Sequence, residues 1–188
     1  MHTSKKTRQK IIDTAIDLFA EKGYENVSIK EICSKMSFGR STFYYHFKTK
    51  EQILTEYYIS DSVYDTKSMS WILTAPNNYE RAVRIQLVYN RHLLSIGSDE
   101  AIRHFIAATL VAPNEDTIEF TRKVKQLLIP LIQQCQESGE ITNQSNPELL
   151  CDVAIRIQNG IIIEYFLYNE KKPLEETLLE SLNVLYNP

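Results

Sequence analysis

Ser28 to Phe47 reads as two short helices with a sharp break between them. Ser28-Ile29-Lys30-Glu31 is a capping box, in which the serine oxygen can accept from the amide three residues on and Glu31 can reach back. Ile29 and Ile32 give the helix it starts an apolar face. Met36-Ser37-Phe38 ends that helix, and a second one follows over Gly39 to Tyr45. On a wheel of roughly 100° per residue with Phe43 pointing inward, Phe47 lands about 40° away on the same face. Ser41 and Tyr45 land opposite, Thr42 and Tyr44 flank them, and Arg40 sits in the first turn. The outward surface is then Arg40, Ser41, Thr42, Tyr44 and Tyr45, followed by His46, Lys48 and Lys50, with no carboxylate among them.

An amphipathic helix should precede this pair, from about Thr7 to Lys22. Ile11, Ala15, Leu18 and Phe19 form one apolar stripe, and Gly23 follows where a left-handed cap is wanted. A helix followed by two short helices across a three-residue turn is the helix-turn-helix layout. Hydroxyls and cations on the second short helix suit phosphate oxygens and base edges. Charge points the same way. Residues 1–50 carry ten Lys/Arg against five Asp/Glu, and residues 51–188 carry eleven against nineteen. A basic head on an acidic body fits a chain of which only one end meets a polyanion.

Other function classes find little support. The first six residues are polar and no apolar run follows them, so no signal peptide is expected. No apolar stretch approaches the roughly 18 residues of a membrane span. Cys33, Cys135 and Cys151 are widely spaced, which predicts a reducing, cytoplasmic setting. His92 and His104 lie too far apart in sequence for a helical metal pair, so no metal is expected. Nor is there a nucleophile–base pair or a phosphate loop, and the expectation is neither an enzyme nor a cofactor protein. The fold class expected is all-α, with about nine helices. A helix-turn-helix DNA-binding domain would occupy residues 1–50, and a larger helical domain residues 51–188. In that body a fourth helix should run from about Lys50 to Lys67. Later helices should end at Gly97, before Pro113, near Glu137 and near Tyr168. Ser98, Asn114 and Asn146-Pro147 mark starts, and Asn169 to Lys172 a loop before a last helix to Tyr186.

From Arg8 to Leu54 the chain resembles the N-terminal domain of the TetR family of bacterial repressors. The residues that carry the likeness are Ile11-Ile12, Ala15, Leu18-Phe19, Gly23-Tyr24, Ser28, Glu31-Ile32, Thr42 through Phe47, Lys50-Glu51 and Ile53-Leu54. The resemblance implies that Ser28, Thr42, Tyr44, His46 and Lys50 hold phosphates, and that Arg40, Ser41 and Tyr45 face base edges. Three positions depart from the family pattern. Ser37 stands where a turn glycine is usual, Gly39 where a serine N-cap is usual, and Ser41 where glycine or alanine is common. Loss of the cap side chain at Gly39 should cost only about a few tenths of a kcal/mol.

For residues 51–188 the resemblance implies ligand binding and dimerisation. The last two long helices are richer in apolar residues than one buried face needs. Ile155, Gly160, Ile163, Leu178 and Leu182 are the candidate contacts of a homodimer, which would suit a palindromic operator. Gly160 in mid-helix is explained equally by a partner helix or by an intramolecular contact. Trp71, Tyr89, His92, Phe105 and Tyr165 are the candidate pocket for a small hydrophobic or aromatic effector, with His104 beside them in sequence. Asp61, Asp65, Glu119 and Glu164 are candidates for a cationic ligand if they point inward, against a solvated helix face as the plainer reading. The leading function is a repressor released from double-stranded operator DNA by such an effector. The alternative is an architectural or protein-regulated DNA-binding factor with no small-molecule effector.

Overall fold

A computed structural model of the protein describes residues 2–59, 61–95, 99–111, 115–168 and 172–188. Among the described residues there are ten α-helices, one 3-10 turn and no strand. The helices are α1 (His2–Lys22), α2 (Ile29–Lys35), α3 (Arg40–His46), α4 (Lys50–Tyr58), α5 (Thr66–Leu73), α6 (Asn78–Ser95), α7 (Asp99–Val111), α8 (Glu115–Ser138), α9 (Pro147–Leu167) and α10 (Leu174–Tyr186). The chain divides into two compact units. One holds Met1–Ser60 with Ser95–Asp116, the other Asp61–Leu94 with Thr117–Pro188.

The first unit forms around the apolar stripe of α1. Ile11, Ile12, Ala15, Leu18 and Phe19 are buried, and Ile32, Phe43, Phe47, Ile53, Leu54 and Tyr58 close over them from α2 to α4. Gly23 ends α1 at φ 82°, and its amide donates to the Phe19 carbonyl at 2.9 Å. The capping box of α2 is only half made. Ser28 Oγ accepts from the Glu31 amide at 3.2 Å, but the Glu31 carboxylate turns to Lys22 instead of reaching back. That ammonium holds the Glu31 carboxyl below the usual carboxylate range. Ser37 in the turn adopts φ 57°, which explains why a glycine suits this position. Gly39 is the N-cap of α3 in extended backbone and makes no side-chain cap bond. The ring of Phe105 on α7 lies 5.0 Å from that of Tyr58 on α4, and Ala101 and Ile102 are buried with it. The unit that contains the two short helices therefore continues past residue 50 and includes α4 and α7.

The expectation of one helix from Lys50 to Lys67 is corrected. α4 stops at Tyr58, a 3-10 turn covers Asp61–Tyr64, and α5 starts afresh at Thr66. The cause is a cap: Asp65 Oδ1 accepts from the Ser68 amide at 2.7 Å. A short acceptor side chain in this position favours a new helix start over continuation. The acidic candidate Asp65 thus serves the backbone.

In the second unit α6 is buried on nearly every side, through Ala82, Val83, Ile85, Leu87, Val88 and Leu93. α8 contributes Val124, Leu128, Ile132 and Cys135, α9 a face from Leu150 to Phe166, and α10 Leu174, Leu178, Leu182 and Tyr186. α9 starts where the sequence predicts, with Asn146 Oδ1 accepting from the amides of Glu148 and Leu149 ahead of a proline first turn. The expected signals at Gly97, Ser98, Pro113, Asn114 and 169–171 lie outside the described residues. No described helix is long and apolar enough to cross a membrane.

Candidate nucleic-acid interface

Two phenylalanines fix which way α3 faces. Phe43 and Phe47 have no exposed surface, and their rings lie 6.1 Å apart. With those side chains inward, Tyr45 projects outward at 77% exposure. Arg40, Ser41 and Lys48 are exposed beside it, while Thr42 and His46 are half-buried on the flanks. Tyr44 is 45% exposed and sets its ring edge-on to Phe43 at 5.6 Å, so it serves the surface and the core together. The Tyr45 ring meets the His46 ring edge-on at 4.9 Å. The outward face thus presents one guanidinium, one ammonium and three hydroxyls, from Ser41, Tyr44 and Tyr45, to solvent.

Two of the candidate phosphate-holding groups also have backbone partners. Ser28 Oγ accepts from the Glu31 amide, which leaves its O–H free to donate outward. Lys50 Nζ donates to the carbonyls of Tyr24 and Val27 at 2.9 and 2.8 Å and sits 4.3 Å from the centre of the Tyr24 ring. An ammonium carries three donors, so one remains for a phosphate. Lys50 thereby ties the start of α4 to the turn between α1 and α2. Tyr24 is held further by its hydroxyl, which donates to Glu51 at 2.8 Å. Burial and that carboxylate push the Tyr24 phenol well above its ordinary pKa. Burial alone would raise the Glu51 carboxyl. Bonds from its own amide, Thr49 and Tyr24 outweigh burial and keep it below the usual range.

No local sequence pattern marks the residue that braces α3 from behind. Arg8 on α1 donates Nε to both Glu56 carboxylate oxygens at 2.8 and 2.9 Å, and its terminal nitrogens reach Glu56 again and the His46 carbonyl. Its guanidinium lies 4.1 Å from the centre of the Phe47 ring. One planar cation therefore joins α1, the last turn of α3 and α4. Arg8 and Glu56 stand 48 positions apart, and no local pattern pairs them.

The effector candidates fall in both units. Phe105 lies in the core of the first unit, where His104 also meets Tyr24 at 4.3 Å between rings and Glu25 at 3.1 Å. Trp71, Tyr89, His92 and Tyr165 belong to the second unit. Trp71 is half-buried, with the guanidinium carbons of Arg84 and Arg91 at 5.0 and 4.0 Å from its ring centre. The Tyr89 ring lies 5.4 Å from Phe120, and the Tyr165 ring 5.0 Å from Phe166. Glu119 pairs with Arg122 one turn along its own helix. Three amides of this unit, Gln86, Asn90 and Gln158, are buried and are not among the sequence-based candidates. Their signal was polar residues on helix faces that are otherwise apolar.

The interface candidates divide as well. Ile155, Gly160 and Ile163 on α9 are partly exposed, and a Cβ added at Gly160 would meet nothing within 4 Å. Leu178 and Leu182 have no exposed surface and pack within their own unit, so they have none to offer a partner. On the same outward stripe of α9 lie Leu149 at 54% and Leu167 at 38% exposure, with Val184 of α10 exposed at 85%.

The profile of the family "Bacterial regulatory proteins, tetR family" matches residues 11–57. The "Uncharacterized HTH-type transcriptional regulator YerO" of Bacillus subtilis is 42% identical over 65 residues, which is 33% of this chain and 22% of that protein. This chain thus matches under a quarter of that relative's length. The "HTH-type transcriptional repressor DhaR" of Mycobacterium is 26% identical over 186 residues, covering 91% of this chain and 88% of that one. Among solved structures, the TetR-family repressor FadR of Thermus thermophilus, in complex with lauroyl-CoA, superposes with a TM-score of 0.73 at 15% identity. The match covers 95% of this chain and 92% of that one.

Proposed function

We propose, from the premise that the chain belongs to the TetR family of transcriptional regulators, that it is a homodimeric repressor that grips operator DNA through α3 and is released by a small hydrophobic or aromatic effector. The family is one of DNA-binding regulators and not of enzymes. The observation that carries the reading is the outward face of α3. Arg40, Ser41 and Tyr45 stand free on a helix whose inner face is fixed by Phe43 and Phe47. Arg40 and the hydroxyls are aimed as base-edge contacts, while Ser28, Thr42, Tyr44, His46, Lys48 and the remaining donor of Lys50 hold phosphates, with Gly39 letting the backbone approach. The place of work is the bacterial cytoplasm, on DNA. In domain terms, residues 1–50 carry the contacts and residues 51–188 the control.

Dimerisation through α9 and α10 is supported by the outward stripe of Leu149, Val153, Gly160, Ile163 and Leu167. These recur at helical spacing, with Leu149 and Leu167 exposed and Val153, Gly160 and Ile163 partly exposed between them. A two-fold axis beside Gly160 would bring two such stripes together, and a dimer with that symmetry suits a palindromic operator. An effector would act by binding more tightly to a conformer whose α3 spacing no longer matches the groove. The lauroyl-CoA bound to the T. thermophilus repressor makes a long-chain acyl thioester the first ligand to try. The test is a gel shift with the DNA flanking the protein's own gene, followed by addition of lauroyl-CoA and other candidate ligands. A sequence-specific shift that a ligand reverses is the expected result. A specific shift that no binding ligand alters would leave an architectural or protein-regulated factor as the reading.

A further inference from the structure

The interior of the second unit holds a nest of polar side chains whose hydrogen-bonding capacity exceeds the partners around it. Gln86 and Asn90 lie one turn apart on α6, Gln158 at the centre of the buried face of α9, and Tyr186 at the end of α10. Their exposures are 1%, 0%, 6% and 1%. Gln158 Nε2 donates to the Gln86 carbonyl and to Asn90 Oδ1, each at 2.8 Å. Both hydrogens of that nitrogen are then used. No hydrogen bond of ordinary geometry reaches Gln86 Nε2, Gln86 Oε1, Asn90 Nδ2 or the Tyr186 hydroxyl, although the Gln86 amide lies near enough to the Tyr186 phenol to oppose the rise of its pKa. Four such groups in one apolar interior are uncommon, because each unmet buried group costs about 1–3 kcal/mol.

We propose that Gln86, Asn90, Gln158 and Tyr186 form the polar end of a binding site for a small, largely apolar molecule bearing a neutral hydrogen-bonding group such as a carboxamide, lactam or alcohol. A carboxamide complements the nest in both senses. Its oxygen accepts from Asn90 Nδ2 and Gln86 Nε2, and its N–H donates to Gln86 Oε1, with the Tyr186 hydroxyl able to do either. Around the nest the walls are apolar, including Val83, Leu87, Leu93, Ala154, Ile161 and Ile162. Burial selects against ionised ligands. It raises the phenol of Tyr186, and the Gln86 amide beside the ring opposes that rise only in part. A carboxylate or an ammonium would lose its hydration on entering this interior. This inference rests on the effector reading above and gives that effector its chemical class.

The test begins without a ligand. Met has nearly the shape of Gln, and Gln86→Met gives up only the approach of the Gln86 amide to the Tyr186 phenol. If the nest is unfilled in the free protein, Gln86→Met raises Tm by about 2–4 °C, since an unmet amide has been removed. A lowered Tm would mean that the nest is already satisfied, for example by a bound water, and would overturn the proposal. In the second arm, hexanamide, 1-hexanol, sodium hexanoate and hexylammonium chloride are added to the full chain. The neutral pair should raise Tm with concentration in the wild type and not in Gln86→Met, and the ionised pair should do neither. Equal or larger shifts from the ionised probes, or none from the neutral ones, would overturn it. Gel shifts run in parallel separate the two claims. Hexanamide binding that leaves DNA affinity unchanged keeps the site and removes the effector reading. Release of DNA by lauroyl-CoA with no neutral-probe binding does the reverse.

Discussion

Replacing Arg8 should weaken DNA binding although Arg8 is not among the proposed contacts. The guanidinium makes three kinds of interaction at once: a two-pronged pair with Glu56, a bond to the His46 carbonyl at the end of α3, and a stack on Phe47. The ion pair is partly exposed, with side-chain exposures of 37% and 29%, so it should be worth about 0.5–1 kcal/mol. The stack adds about 0.5–1 kcal/mol and the charged bond to a half-buried carbonyl about 1 kcal/mol. Arg8→Ala should therefore cost about 2–3 kcal/mol and lower Tm by roughly 4–10 °C. Because two of the three interactions end on α3 and the residue that follows it, part of that loss falls on the helix that meets DNA. Affinity for the flanking operator duplex should drop about tenfold or more under conditions where the variant is still folded. Arg8→Lys keeps the charge but loses the planar fork, and should recover less than half of both effects. The assays are a urea melt and anisotropy with a labelled duplex. Unchanged stability and unchanged affinity in Arg8→Ala would refute the reasoning. A stability loss with full affinity at low temperature would confine Arg8 to holding the fold.

Three further outcomes follow from particular residues. Ser37→Gly should raise stability by about 0.5–1 kcal/mol in a urea melt, because Ser37 sits at φ 57° where glycine is unstrained, and a loss of stability would contradict that account. Phe43→Ala should cost about 3–5 kcal/mol by thermal melt, while Tyr45→Ala should stay within about 0.5 kcal/mol and change DNA preference instead; similar stability losses in the two would mean that α3 is turned the other way. On acidification the carboxyls of Glu31, Glu51, Asp65 and Asp152, all held below their ordinary range, contribute stability above pH about 4 that is lost as pH falls through their lowered native values. Urea midpoints should accordingly fall between pH 5 and pH 3, and a flat profile would count against those pairings.

Local chemistry at helix ends and on α3 is legible in the sequence, and ties between helices distant in sequence are not. Caps at Ser28 and Asn146, the glycine stop at Gly23 and the inward pair of Phe43 and Phe47 are signals confined to one or two helical turns, and they can be read without a fold. The break after Tyr58 was also locally written, in Asp65 and Ser68, but the apolar pattern running through it masked the cap. Arg8 with Glu56, and Gln158 with Gln86 and Asn90, are set by packing between helices distant in sequence. Phe105 shows the same limit from the other side. Its helical spacing is common to core and pocket aromatics, and only the association of α7 with α4 assigns it to the core of the first unit.

The central claim is that the outward face of α3 reads a DNA sequence. Its most direct measurement is an anisotropy titration of the wild type and of the Arg40→Ala/Ser41→Ala/Tyr45→Ala variant on two duplexes, the DNA flanking the gene and a shuffled copy, across a range of salt. The wild type should prefer the flanking duplex by about a hundredfold or more, with affinity falling steeply as salt rises. The variant should melt as the wild type does, keep the steep salt dependence through the phosphate contacts, and lose most of the preference. A variant that retains the full preference would contradict the claim, as would a wild type that binds both duplexes equally.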